Sequence, residues 1–176
     1  MLAKILPTLE RTPGVLRALL QGLPEDAVRG NYGPGTWSAY EVVGHLIVGE
    51  KLDWVPRVRI ILAHGTSRAF DPFPHDATIG PESGRGVSDL LDEFEALRAE
   101  SLRALAAMNL RDADLGRRGL HPALGEVALG QLLTTWAAHD LHHVRQACLA
   151  LAWQMRDEVG PWRAYINTFE RPGEGR

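Results

Sequence analysis

The apolar residues of this chain recur mostly at helical spacing, and four stretches hold that spacing long enough to predict helices. The first is expected to open with Thr12 as N-cap and Pro13 at the first helical position. It runs through Val15, Leu16, Leu19 and Leu20 and stops near Gly22, with residues 1–11 adding at most a turn. The second is marked by a capping box, Ser38 with Glu41, and by Trp37 at the staple position. Its apolar positions Val42, Leu46, Leu52 and Val55 lead toward Leu62, Gly65 is placed to end it, and Pro56 should kink or divide it. The third starts near Ser88, sets Leu90, Leu91, Phe94, Leu97, Leu102 and Leu105 at helical spacing with acids and arginines on the other face, and ends near Met108 and Asn109. The fourth is expected from about Ala128 to Val159, where Gly160 and Pro161 stop it. A short helix over residues 161–169, bearing Trp162, Tyr165 and Ile166, and a frayed tail complete the chain.

The connections are informative in their own right. Residues 23–35 carry too much Gly and Pro for a regular element. Residues 66–86 form a connection long enough to be unusual unless it is functional, and Phe70 and Phe73 within it argue for packing against something. Gly116 to Gly125 reads as a loop with His121-Pro122 as a turn or strand edge; little else argues for strands. The expected fold class is therefore all-α, an antiparallel four-helix bundle with long crossover loops and a short C-terminal helix. A single domain is expected over 1–176, with 1–11 and 170–176 peripheral.

Composition narrows the function classes. A net charge of -3 and a pI near 6.2 give no basic surface for a nucleic acid, the local clusters Arg57, Arg59 and Arg117-Arg118 being small. No apolar run is long enough for a membrane span, and the first residues lack a sustained apolar region and a cleavage site, so a cytoplasmic protein is expected. Cys148 is the only cysteine and cannot form an intrachain disulfide; it is read as a buried structural thiol.

The candidate chemistry lies in Trp136 to Gln146. His139 and His143 are one turn apart on one helix face, in the same stripe as Leu132, Trp136 and Ala150, so both imidazoles look inward. Two histidines alone do not make a catalytic metal site, which usually takes three protein ligands and keeps an open position. His45, on the apolar stripe of the second helix, is the candidate third. Taken singly, His45 could equally bond a core carbonyl or a buried carboxylate; taken together, the three nitrogens suit zinc, nickel or iron(II).

Three motifs in order carry a family likeness: Thr36-Trp37-Ser38-Ala39-Tyr40-Glu41-Val42-Val43-Gly44-His45-Leu46, then His121-Pro122-Ala123-Leu124-Gly125-Glu126-Val127, then Trp136-Ala137-Ala138-His139-Asp140-Leu141-His142-His143-Val144-Arg145-Gln146. In these the chain resembles the DinB family. The resemblance implies a bundle with long crossovers and a divalent metal held by His45, His139 and His143. It also implies a relation to enzymes that transfer bacillithiol or mycothiol to electrophiles and to a thiol-dependent maleylpyruvate isomerase.

Around that trio, Gln146, Asp140 and Glu50 are candidates to hydrogen-bond a ligand, a bound water or a substrate, and Asp53 shares the partly inward spacing of Glu50. Asp140 also stands where a His-Glu-x-x-His helix has its general base, or it orients an arginine. His142 points away from the stripe; His64, His75 and His121 lie in or beside loops and are expected at the surface; Trp37 and Trp136 are read as packing anchors. The expected function is a metal-dependent enzyme transferring a low-molecular-weight thiol to an electrophilic small molecule. The alternatives are a metal-dependent hydrolase and a metal-binding stress-response protein without turnover. A homodimer is plausible if Phe70 and Phe73 are exposed.

Overall fold

In the computed structural model, residues 2–166 and Phe169 are described. Helices dominate: α1 (Leu2–Leu20), α2 (Glu25–Arg29), α3 (Ala39–Leu52), α4 (Trp54–His64), α5 (Val87–Ala107) and α6 (Leu129–Gln154), with a hairpin of β1 (Arg118–His121) and β2 (Gly125–Ala128). Four long rods build a bundle: α1, α3 continued by α4, α5, and α6. Both α1 and α3 pack against α5 and α6. Cross-links give the directions. Arg17 reaches Asp92 and Glu95 while Leu9 lies level with Arg98, so α1 and α5 run antiparallel. His45 meets His139 and Glu50 meets Trp136, so α3 and α6 also run antiparallel. Tyr40 bonds the Arg85 carbonyl and Lys51 pairs with Glu93, so α3 and α5 run parallel, which requires a long crossover between them.

Two apolar clusters fill the interior. One gathers Leu9, Trp54, Ile61, Phe70, Leu133 and Trp136, and the other Leu16, Tyr40, Leu46, Leu91 and Phe94. The capping box is present: Ser38 and Glu41 bond each other's backbone N–H groups at the start of α3. The second rod does divide, with Asp53 at the break; Pro56 has no N–H to offer the Leu52 carbonyl.

Several boundaries differ from expectation. Residues 2–11, expected to be peripheral, are not: α1 begins at Leu2 and buries Ile5 and Leu9. Thr12 is no cap, since its hydroxyl donates back to the Thr8 carbonyl, and Pro13 sits mid-helix. The Leu9 carbonyl that Pro13 leaves free accepts Arg98 Nη1 at 2.8 Å, so the lost helical bond is replaced. The 23–35 loop contains α2, whose Val28 is fully buried. The Gly116–Gly125 segment is largely the hairpin, in the register Gly119↔Val127 and Leu120↔Glu126. α6 ends at Gln154 rather than Val159, because the N–H groups of Met155 and Arg156 turn to carbonyls three residues back. Gly160–Tyr165 is a 3-10 turn with Trp162 and Tyr165 exposed; the expected frayed tail over 170–176 lies outside the described residues. Cys148 is exposed, not buried: the rotation that takes it off the histidine stripe carries it to solvent. Among the described residues no helix is long and apolar enough to cross a membrane.

The 65–86 crossover is held at two points. Phe70 is buried and its N–H donates to the Leu120 carbonyl at 2.9 Å, so the loop pairs with the hairpin. Gly119 makes room there, because a Cβ would come 2.6 Å from Ile61 Cγ1 and 3.0 Å from the Phe70 ring. Farther on, Thr78 and Ile79 lie directly on Gly44, where a Cβ would come 2.5 Å from the Ile79 nitrogen. With Phe70 buried and Phe73 half-buried, the exposed apolar loop that motivated a dimer is absent.

Candidate metal centre

Gly44 and the crossover together set His45. With the loop seated on Gly44, the Ala77 carbonyl accepts from His45 Nδ1 at 2.8 Å. A proton on Nδ1 leaves Nε2 with its lone pair. On α6, His143 Nδ1 donates to Gln146 Oε1 at 2.6 Å, which fixes the same tautomer. Both lone pairs point at His139: its Nε2 is 3.3 Å from His45 Nε2 and 3.0 Å from His143 Nε2.

The three imidazoles are thus brought together as the spacing implied, one from α3 and two from consecutive turns of α6. Burial, and then the neighbouring His143 and His45, hold His139 down to about 2. Burial, followed by the charge of His45, holds His143 down to about 4 against the raising effect of Gln146. Burial also lowers His45, although the Ala77 carbonyl opposes it. All three are neutral at neutral pH, the form that donates to a metal.

Without a cation this arrangement is poorly satisfied. A proton on His139 Nε2 could serve only one of the two lone pairs facing it. A divalent ion about 2.1 Å from each nitrogen calls for ligand separations of about 3.0 to 3.4 Å. The separations of 3.3 and 3.0 Å to His139 Nε2 fall in that range.

The residues expected to support the trio divide. Gln146 does so directly, through His143. Glu50 and Asp140 do not; both are claimed by Arg98, which was expected on the solvent side of the third helix. Its guanidinium donates to Glu50 Oε1 at 2.9 and 2.7 Å, to Asp140 at 2.6 and 3.0 Å, and to the Leu9 carbonyl. Trp136 Nε1 also donates to Glu50. Asp140 therefore orients an arginine and is not aimed at the imidazoles. Burial lifts the Glu50 carboxyl above the usual range, and the charge and hydrogen bonds of Arg98 pull it back.

A cavity of about 480 Å3 opens beside the imidazoles. Trp37 forms one wall, its ring 4.6 Å from that of His45, so it is more than a packing anchor; Trp136 is fully buried, as expected. Trp54 packs edge-on to His139 at 5.0 Å. His121, expected at the surface, lies half-buried in the cavity wall, its Nδ1 accepting from the Ala123 and Leu124 N–H groups. His75 and His142 line the rim and are exposed, and His64 is exposed away from it.

Asp53 and Arg57, both buried, also line the cavity. Asp53 Oδ1 and Arg57 Nε are 2.6 Å apart without hydrogen-bond alignment, and neither atom has another partner among the described residues. Burial pushes the Asp53 carboxyl up to about 6, with Arg57 and then His75 opposing it. In the sequence Arg57 counts only as part of a small basic cluster; its spacing of four residues from Asp53 is the signal for the pair.

No curated protein matches the chain. Among solved structures it resembles YfiT from Bacillus subtilis, described as a probable metal-dependent hydrolase with an unusual four-helix bundle topology. The TM-score is 0.72, covering 90% of this chain and 87% of that one, and at 20% identity the likeness speaks for the fold alone. The DinB superfamily model matches residues 8–147, a span that takes in all four rods and all three histidines, and the chain belongs to that superfamily.

Proposed function

We propose that the chain is a metal-dependent enzyme acting on a small molecule, with His45, His139 and His143 holding one divalent cation at the floor of the cavity. The observation that carries this reading is the convergence of the three Nε2 atoms, two of them with lone pairs fixed inward by their Nδ1 partners. A cation bound there lowers the pKa of a thiol or water in contact with it and so makes a nucleophile available at neutral pH. The chain's own residues supply the rest: Trp37, Trp54 and Phe73 exclude water, and Gln146 keeps the His143 ring in register. The three imidazoles leave coordination positions open on the cavity side, which favours turnover over purely structural binding.

The family resemblance favours a low-molecular-weight thiol as the attacking group, and the likeness to YfiT favours water. One assay separates them. Metal-reconstituted protein is given a chloronitroaromatic or epoxide acceptor with bacterial thiols, and in parallel esters and amides with no thiol. Thiol-dependent conjugation that a chelator abolishes is the expected result; chelator-sensitive turnover without thiol makes the enzyme a hydrolase. No metal-dependent turnover of either kind contradicts the enzyme reading. Zinc, nickel and iron(II) are all compatible with three imidazoles, and parallel reconstitution ranks them.

A further inference from the structure

We propose that Arg57 is the anchor for a carboxylate on the substrate, so that this cavity takes small carboxylic acids with an apolar body. The inference rests on the cavity being the substrate site, but Arg57 is no member of the histidine cluster. Arg57 is only 7% exposed and lines the cavity. A guanidinium so far out of water ordinarily spends its donors on protein acceptors. That of Arg57 makes no hydrogen bond to any described residue, and its Nε is wholly buried without one.

Its one counter-charge among the described residues, Asp53, approaches side-on at Nε. The end-on pair of terminal nitrogens makes no hydrogen bond to a described residue, on a side chain that lines the cavity. An end-on guanidinium fork fits the two oxygens of a carboxylate. The surroundings define the rest of the ligand. The Phe70 ring lies 5.2 Å from the guanidinium carbon and the Phe73 ring 6.0 Å from it, two aromatic faces that keep the charge out of bulk water and strengthen its pull on an anion. Phe73 also sets the reach: its ring centre is 5.9 Å from that of His45. A molecule about one aromatic ring long, lying along Phe73, would have its carboxylate on Arg57 and its far end over the imidazoles.

The experiment titrates full-length protein with benzoate and with its neutral counterpart benzamide, read by quenching of the fluorescence of Trp37 and Trp54 and by calorimetry. It is run as purified and again after chelation, so that a carboxylate sitting on a bound cation is told apart from one on Arg57. The expected result is benzoate binding at least tenfold tighter than benzamide in both preparations. Arg57→Gln should erase that preference while benzamide binding stays within about twofold. Arg57→Lys should keep part of it, and His139→Ala, which alters the far end of the cavity, should change benzoate and benzamide binding to the same degree in chelated protein and so keep their ratio. Benzoate and benzamide binding alike in the wild type, or a preference that survives Arg57→Gln, overturns the proposal. So does a preference lost equally in His139→Ala, which would put the anion on the histidines. Since the chelated arm needs no metal, carboxylate preference without metal binding would sink the enzyme reading and leave this one standing, and metal-dependent turnover without carboxylate preference would do the reverse.

Discussion

Two arginines lie inside this bundle and are held in opposite ways. Arg98, 1% exposed, is tied to Glu50, Asp140 and the Leu9 carbonyl, so it joins α5 to α3, α6 and α1 at one level. Arg57, scarcely more exposed, has a side-on carboxylate and no hydrogen bond among the described residues. Burial is nearly the same; what differs is how many donors the protein itself satisfies. The satisfied arginine belongs to the framework and the unsatisfied one to a site, a distinction that burial alone would miss.

The largest expected effect tests the framework side. Arg98→Met strands two carboxylates in the core and should cost about 3 to 5 kcal/mol in urea unfolding. Arg57→Gln should cost less than that, because it deprives one buried carboxyl, Asp53, of its counter-charge rather than two. Equal losses in the two variants would erase the distinction. Asp53 gives the next effect. Its folded carboxyl titrates near 6, above the unfolded value of 3.8, so the folded chain binds that proton more tightly. Its contribution is full below the unfolded value and is lost as pH rises from about 4 to about 6, roughly 3 kcal/mol in all. Asp53→Asn should remove that slope from the stability–pH profile measured in urea, and an unchanged slope would contradict the assignment.

The smaller effects concern what positions the histidines. Gly44→Ala forces a Cβ into the Ile79 backbone, should cost about 1 to 3 kcal/mol, and should weaken metal binding by displacing the Ala77 carbonyl from His45. Gln146→Leu should change stability by less than about 1 kcal/mol, yet lower metal affinity about 10- to 100-fold by freeing the His143 ring. Competition with a chromophoric chelator reads both affinities.

What the sequence made legible was local. The Ser38–Glu41 box needs only three residues of separation, and His139 with His143 only one helical turn. His45 could be added because, taken jointly with that pair, one inward histidine on a facing helix completes a three-nitrogen face. What was hidden depended on distant partners. Thr12-Pro13 has the form of a helix start, and only Arg98, far along the chain, explains why the helix runs through it. Arg98 itself falls on the stripe Leu91, Phe94, Arg98, Ser101, Leu105, so its periodicity placed it inward, and the inward spacing of Glu50 and Asp140 would have named its partners. The hairpin strands are four residues each, too short for alternation to stand out, and the burial of Phe70 follows from them.

Metal content of untagged protein, measured by mass spectrometry for the wild type and for His45→Ala, His139→Ala and His143→Ala, tests the central claim most directly. The account predicts close to one divalent ion per chain in the wild type and an empty site in each variant, with all four proteins folded. A wild type that stays metal-free after reconstitution with zinc, nickel and iron(II), or variants that keep their metal, would contradict it.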